Sequence, residues 1–239
     1  MSSTAIQLYT LREIDHPLPV LLERIGETTI DGVEFAHRFA DCDTAAVNRV
    51  LERTGLEAVG AHVDIERLET DLEGVIEAYS AVGCDTFVVP WLDPEAFTAD
   101  TIEETATRLS TLAQDVADAG ATLHYHNHDH ELRELAGSTA LEVLIEQTDD
   151  ALGFEFDIGW IEAGGSDPVE FLERYGDRCK LLHVTDCDSE TATPVEVRTG
   201  DVDIQGCLTA ADSSVLVYEH DEPTNPLQSL ETGAAILNR

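Results

Sequence analysis

The chain has 239 residues, 43% of them hydrophobic, and carries 49 acidic against 13 basic side chains, a formal net charge of −36. That length suits one domain over 1–239 with a full core, while the scarcity of Lys and Arg, with no basic cluster, argues against a nucleic-acid partner. No apolar run reaches the roughly 18 residues of a membrane span, and Met-Ser-Ser-Thr at the start lacks the features of a secretory signal, so a cytoplasmic protein with no membrane partner is expected.

The acids are spread along segments that keep their apolar periodicity, so they coat a folded surface rather than mark a disordered chain. Self-repulsion of such a coat weakens a fold at low salt, and concentrated salt screens it, with a Debye length of about 3 Å near 1 M. The expectation is a halophilic protein, adapted to a salt-rich cytoplasm; an acidic patch for a basic partner is the alternative. Five cysteines without a C-x-x-C pair read as reduced, structural thiols.

Taken in order, eight runs read as strands: Ile6 to Tyr9, Gly32 to Phe35, Ala58 to Val63, Thr86 to Val89, Thr122 to His126, Leu152 to Asp157, Lys180 to Val184 and Ser214 to Glu219. Between them lie helical patterns. Ile102, Ala106, Leu109, Ala113 and Val116 fall on one face, Asp167-Pro168-Val169-Glu170 combines a capping acid with proline at the first helical position, and Gly83 and Gly120 stand where helices should stop. Alternation of strand and helix predicts an α/β fold with a parallel sheet. Eight strands is the number of a (β/α)8 TIM barrel, although eight βα units also allow a doubly wound open sheet.

In a barrel the active site forms at the carboxyl ends of the strands. Ionisable residues gather there: Glu34 in strand 2, His62 and Asp64 at strand 3, and His126, Asn127 and His128 at strand 5. Asp157 closes a Phe-Glu-Phe-Asp run, His183 a Lys-Leu-Leu-His run, and Glu219 a Leu-Val-Tyr-Glu run. Each group costs desolvation unless paired or ligated, so mixed Asp, Glu and His donors point to one divalent cation such as Mn, Mg, Co or Zn. Residues 123–132 hold four of the nine histidines, with His126 the preferred ligand and His128 the alternative. His62 as a satisfied core imidazole and Glu34 as an ion-pair partner are the bland readings.

With these residues assembled, the sequence resembles the sugar phosphate isomerase/epimerase family of the xylose isomerase-like barrel superfamily. Ten motifs in order carry the resemblance: Ile6-Gln-Leu-Tyr-Thr-Leu-Arg12, Asp31-Gly-Val-Glu-Phe35, Val59-Gly-Ala-His-Val63, Val88-Val-Pro-Trp91, Tyr125-His-Asn-His-Asp-His-Glu131, Phe156-Asp-Ile-Gly-Trp160, Asp167-Pro-Val-Glu-Phe171, Leu182-His-Val-Thr-Asp186, Thr199-Gly-Asp-Val-Asp203 and Tyr218-Glu-His-Asp221. The resemblance implies a metal held by Asp157, His183 and Glu219, with His126 at the strand 5 position where many relatives carry a glutamate. It implies Glu219 in proton transfer, with Glu34, His62 and Trp91 on the substrate side; His126, His62 and Glu34 are candidate catalytic partners of Glu219, and Asn127 and His128 are further substrate-side candidates. Thr185 stands where similar proteins often have a lysine. The partner implied is a sugar or sugar derivative, and homo-oligomers are common among similar proteins.

The expected chemistry is isomerisation or epimerisation by proton transfer next to a carbonyl held by the metal. A lyase or dehydratase acting on a keto-sugar, keto-inositol or keto-glycoside is the runner-up, favoured by the absent strand 5 glutamate. An endonuclease IV-like nuclease and a silent sugar-binding barrel are further alternatives.

Overall fold

The computed structural model of the protein describes residues 2–36, 38–39, 42–211 and 215–238. Eight strands form the central sheet: β1 Ser3–Gln7, β2 Gly32–Phe35, β3 Glu57–His62, β4 Thr86–Val89, β5 Thr122–His126, β6 Leu152–Asp157, β7 Cys179–Val184 and β8 Val215–Tyr218. All neighbours are parallel, and pairing of β1 with both β2 and β8 closes the ring. Closure removes the open-sheet alternative and leaves a (β/α)8 TIM barrel.

Helices α1 Leu18–Ile25, α2 Thr44–Thr54, α3 Ile65–Ser80, α4 Ile102–Asp118, α5 Ala140–Gln147, α6 Ile158–Ala163, α7 Pro168–Tyr175, α8 Ile204–Ala210 and α9 Pro226–Leu237 follow the strands in turn, with two between β6 and β7. The stripe Ile102, Ala106, Leu109, Ala113 and Val116 of α4 is buried. Asp167 caps α7 by accepting from Val169 N and Glu170 N, ahead of Pro168. Gly83 and Gly120 have φ of 78° and 87°, the left-handed conformation that lets α3 and α4 turn back to the sheet.

The expected first strand, Ile6 to Tyr9, is corrected to Ser3–Gln7. The Gln7 side chain accepts from Tyr9 N and starts a 3-10 turn over Leu8–Leu11, so the apolar run continues out of the sheet. The third strand lies one residue earlier than expected, and the eighth spans Val215–Tyr218, so Glu219 follows it; its expected first residue, Ser214, lies outside the described residues.

Strand alternation divides each barrel residue between two environments. Outward residues such as Phe35, Phe87, Tyr125, Phe154 and Phe156 join the large core under the helices. Inside the amino-end half, Ala5, Leu181 and Val217 form a separate apolar cluster flanked by Val59 and Val215. One layer towards the carboxyl ends the interior turns ionisable.

Candidate active site

On β6, Glu155 and Asp157 share the inward face, two residues apart. β6 is paired in register so that His126 of β5 stands beside Glu155 and His183 of β7 beside Asp157. Glu155 is fully buried, and its Oε2 meets three imidazoles: His62 Nε2 at 2.8 Å, His126 Nδ1 at 2.9 Å and His183 Nε2 at 3.1 Å. His183 also bridges two further carboxylates, with Nδ1 2.9 Å from Glu219 Oε2 and Nε2 2.8 Å from Glu34 Oε2. Gln7 Nε2 donates to the same Glu34 oxygen at 2.7 Å. Gly60 makes room for this carboxylate, because a Cβ there would come within 2.9 Å of Glu34 Oε1.

Asp157 is hydrogen-bonded through one oxygen only, its other oxygen lying 3.9 Å from His183 Nδ1. Its Oδ1 accepts from Thr185 Oγ1 at 2.6 Å and from Trp160 N at 2.7 Å, and Thr185 Oγ1 in turn accepts from Gly159 N at 2.8 Å. Its Oδ2 is buried with no hydrogen-bond partner, as are Glu34 Oε1 and Glu155 Oε1. Bare buried carboxylate oxygens are costly, and a cation is the partner that would relieve them. The donor atoms of His126, Asp157, His183 and Glu219 lie within 4.8 Å of one another, and so do those of His62, His126, Glu155 and His183. Both sets mix oxygen with imidazole nitrogen, as a divalent transition metal prefers, so the residues fit the group that the sequence implies.

Electrostatics sort these groups. Burial, and then repulsion from Glu155, lifts Glu34 to about 7. Burial also lifts Asp157 to about 7, against the pull of His183. Burial opposes the charge on Glu155 too, yet His183 and His62 outweigh it and hold that carboxyl well below its usual range. His126 is pushed down to about 4 by burial and stays neutral. With a proton on Nδ1 facing Glu155, its Nε2 carries the lone pair a metal needs. His183 is the opposite case: burial disfavours its charge, but Glu155 and Glu34 raise its pKa well above normal.

Above this layer opens a pocket of about 470 Å³. Its lining includes His62, His126, His128 and Glu219 from the expected site, with Tyr9, Trp91, Arg67 and Asp221 around them. Trp91 is 49% exposed at the rim. His128 is held over the pocket by Glu131, whose Oε2 accepts from His128 N at 2.9 Å. Asn127 is fully buried and used on the backbone of Asp157, accepting from its N at 3.0 Å and donating to its carbonyl at 3.4 Å. Glu34 lies beneath the pocket rather than at the rim.

The residue that strand-end reading missed is Glu155. The signal was present in Phe154-Glu155-Phe156-Asp157, where strict alternation puts both acids on the face away from the phenylalanines.

The xylose isomerase-like TIM barrel family matches residues 22–238. Inosose dehydratase of Lacticaseibacillus casei is 32% identical over 102 residues, which are 42% of this chain and 33% of that protein, so the match spans about a third of the relative's length. A sugar phosphate isomerase/epimerase structure from Parabacteroides distasonis superposes with a TM-score of 0.81 at 19% identity, covering 99% of this chain and 93% of that one. The IolI protein with a bound zinc atom gives a TM-score of 0.75 at 16% identity, covering 99% and 96%.

Proposed function

This chain belongs to the xylose isomerase-like TIM barrel family, and we propose that it is a metal-dependent isomerase or epimerase that moves a proton next to the carbonyl of a sugar-like substrate. The observation that carries this reading is the position of Glu155. Strand 5 offers His126 instead of a glutamate, and the neighbouring strand supplies a carboxylate 2.9 Å from that imidazole.

A divalent cation held by His126, Asp157, His183 and Glu219 would polarise a carbonyl oxygen and acidify the adjacent C–H. Thr185 and Trp160 N fix Asp157 Oδ1 and leave Oδ2 for the ion. Glu155 fixes the tautomer of His126 in the same way. Two ionisable groups from separate strands meet the pocket as proton carriers, Glu219 after β8 and His62 on β3. His62 is backed by Glu155 at 2.8 Å and Glu34 at 3.5 Å. These two carboxyls are driven apart, one below and one above the usual range, which suits an anion and a proton holder.

A dehydratase is the second reading, favoured by the likeness to inosose dehydratase. The same proton abstraction followed by loss of a β-hydroxyl gives elimination.

Elemental analysis of protein purified in high salt without chelator or His-tag, followed by a screen of sugars and keto-sugars for proton exchange in D2O, tests the proposal. About one metal per chain with metal-dependent exchange is expected, and product NMR then separates isomer from dehydrated product. Absence of both metal and exchange would overturn it. His126→Glu probes the choice further: a rise in epimerisation of ketohexoses supports the first reading, and loss of all activity the second.

A further inference from the structure

The proposed site is rich in carboxylates, yet among the described residues one cation in its pocket has no ion-pair partner. Arg67 lies in the first turn of α3 and lines the same 470 Å³ pocket as His126 and Glu219. It is half-buried, and among the described residues its guanidinium has no hydrogen bond or ion pair. Asp64, three residues earlier and also in the lining, contributes only its carbonyl, to Arg67 N at 3.0 Å. The first turn of a helix is an unfavourable place for a positive charge, so α3 itself gains nothing from this arginine.

The other cations near the site are committed. Arg38 Nη1 donates to Ile14 O at 2.8 Å and its Nη2 to Arg12 O, which makes it a clasp for the loop after β1. Thr185, at the position where a lysine was expected, uses its hydroxyl on Asp157, and Lys180 Nζ donates to Asp177 O at 3.1 Å. In a chain with 13 basic residues in 239, a guanidinium that has no ion-pair partner among the described residues and stands beside a sugar-sized cavity calls for an anionic ligand group.

We propose that Arg67 binds a carboxylate or phosphate on the substrate, making the ligand a polyhydroxylated anion that lies against the exposed Trp91. Trp91, at the exposed rim, offers an apolar face for the C–H side of a sugar, while the Tyr9 ring already carries the Arg12 guanidinium 4.0 Å from its centroid. The proposal rests on the sugar-like reading of the pocket and names the charge class of its ligand.

The test is calorimetric titration of chelator-treated protein with gluconate, glucose 6-phosphate and sorbitol as probes, so that neither metal nor turnover enters. At least one anionic probe should bind about tenfold or more tightly than sorbitol; a preference for gluconate identifies a carboxylate site and one for glucose 6-phosphate a phosphate site. Arg67→Met should erase the preference while leaving sorbitol binding in place, and Arg67→Lys should restore part of it. Equal binding of all three, no binding of either anion, or an anion preference that survives Arg67→Met overturns the proposal. Because no metal is present in the titration, the Arg67-dependent preference stands or falls independently of the metal assignment.

Discussion

The two halves of the barrel interior are built by the same eight strands and obey opposite rules. At the amino end, Ala5, Leu181 and Val217 pack into an apolar plug. Two residues further along the same strands stand Gln7, His183 and Glu219, with Glu34, Glu155 and Asp157 beside them. The first layer is mostly apolar, with His124 its one buried imidazole among the described residues. The second buries carboxylate oxygens that have no hydrogen-bond partner, at the end where a barrel keeps its chemistry.

The sharpest way to break this contrast is to remove a donor. His183→Ala or Asp157→Asn should reduce metal content after dialysis from about one per chain to almost none, read by elemental analysis; full retention would show that the ionisable layer does not hold a metal. Glu155→Gln should keep the metal, because Asp157, His183 and Glu219 remain, and slow substrate proton exchange by about 100-fold or more. Unchanged exchange would reduce Glu155 to a buttress.

At the other end, Leu181→Ala should cost about 2–4 kcal/mol in urea unfolding and leave metal content alone. A loss of metal there would mean the two layers are not independent. The smallest effect expected is on pH. His183 has a raised pKa and Asp157 one of about 7 in the metal-free protein, so the His183 proton, and below pH 7 the Asp157 proton too, must leave as a cation arrives. Metal affinity should therefore rise with pH, by about tenfold per unit while one proton is displaced, and fall as acid restores the imidazolium. A flat profile between pH 6 and 8 would argue that His183 is not a ligand.

The salt expectation stands apart from this comparison, since the charge of −36 belongs to the whole chain. A urea midpoint higher in multimolar KCl than at low salt is expected.

Much of the barrel was legible because each strand announces itself locally through β-branched and aromatic residues between turn signals. Asp157, His183 and Glu219 were legible because they end such runs. Glu155 was not, since its importance comes from register: only pairing with β5 puts it beside His126, and no single segment encodes that neighbour. Gln7 was hidden for a related reason. Its side chain ends β1 by bonding forward to Tyr9 N, while the apolar pattern runs on through Leu8 and Leu11. Asn127 is expected on the substrate side because it is polar at a strand end; that its buried amide bonds the backbone of Asp157 depends on register and is not encoded in its own segment.

The link from Asp157 through Thr185 to Gly159 also constrains how this sequence can change. A Cβ at Gly159 would come within 2.7 Å of Thr185 Oγ1, so any side chain at 159 collides with the hydroxyl that holds Asp157. A lysine introduced at 185 would remove that hydroxyl, leaving Gly159 N and one Asp157 oxygen without their shared partner. Positions 157, 159 and 185 thus form one epistatic unit: a lineage exchanging threonine for lysine has to supply a new holder for the aspartate first, and a library that varies them singly will find only losses.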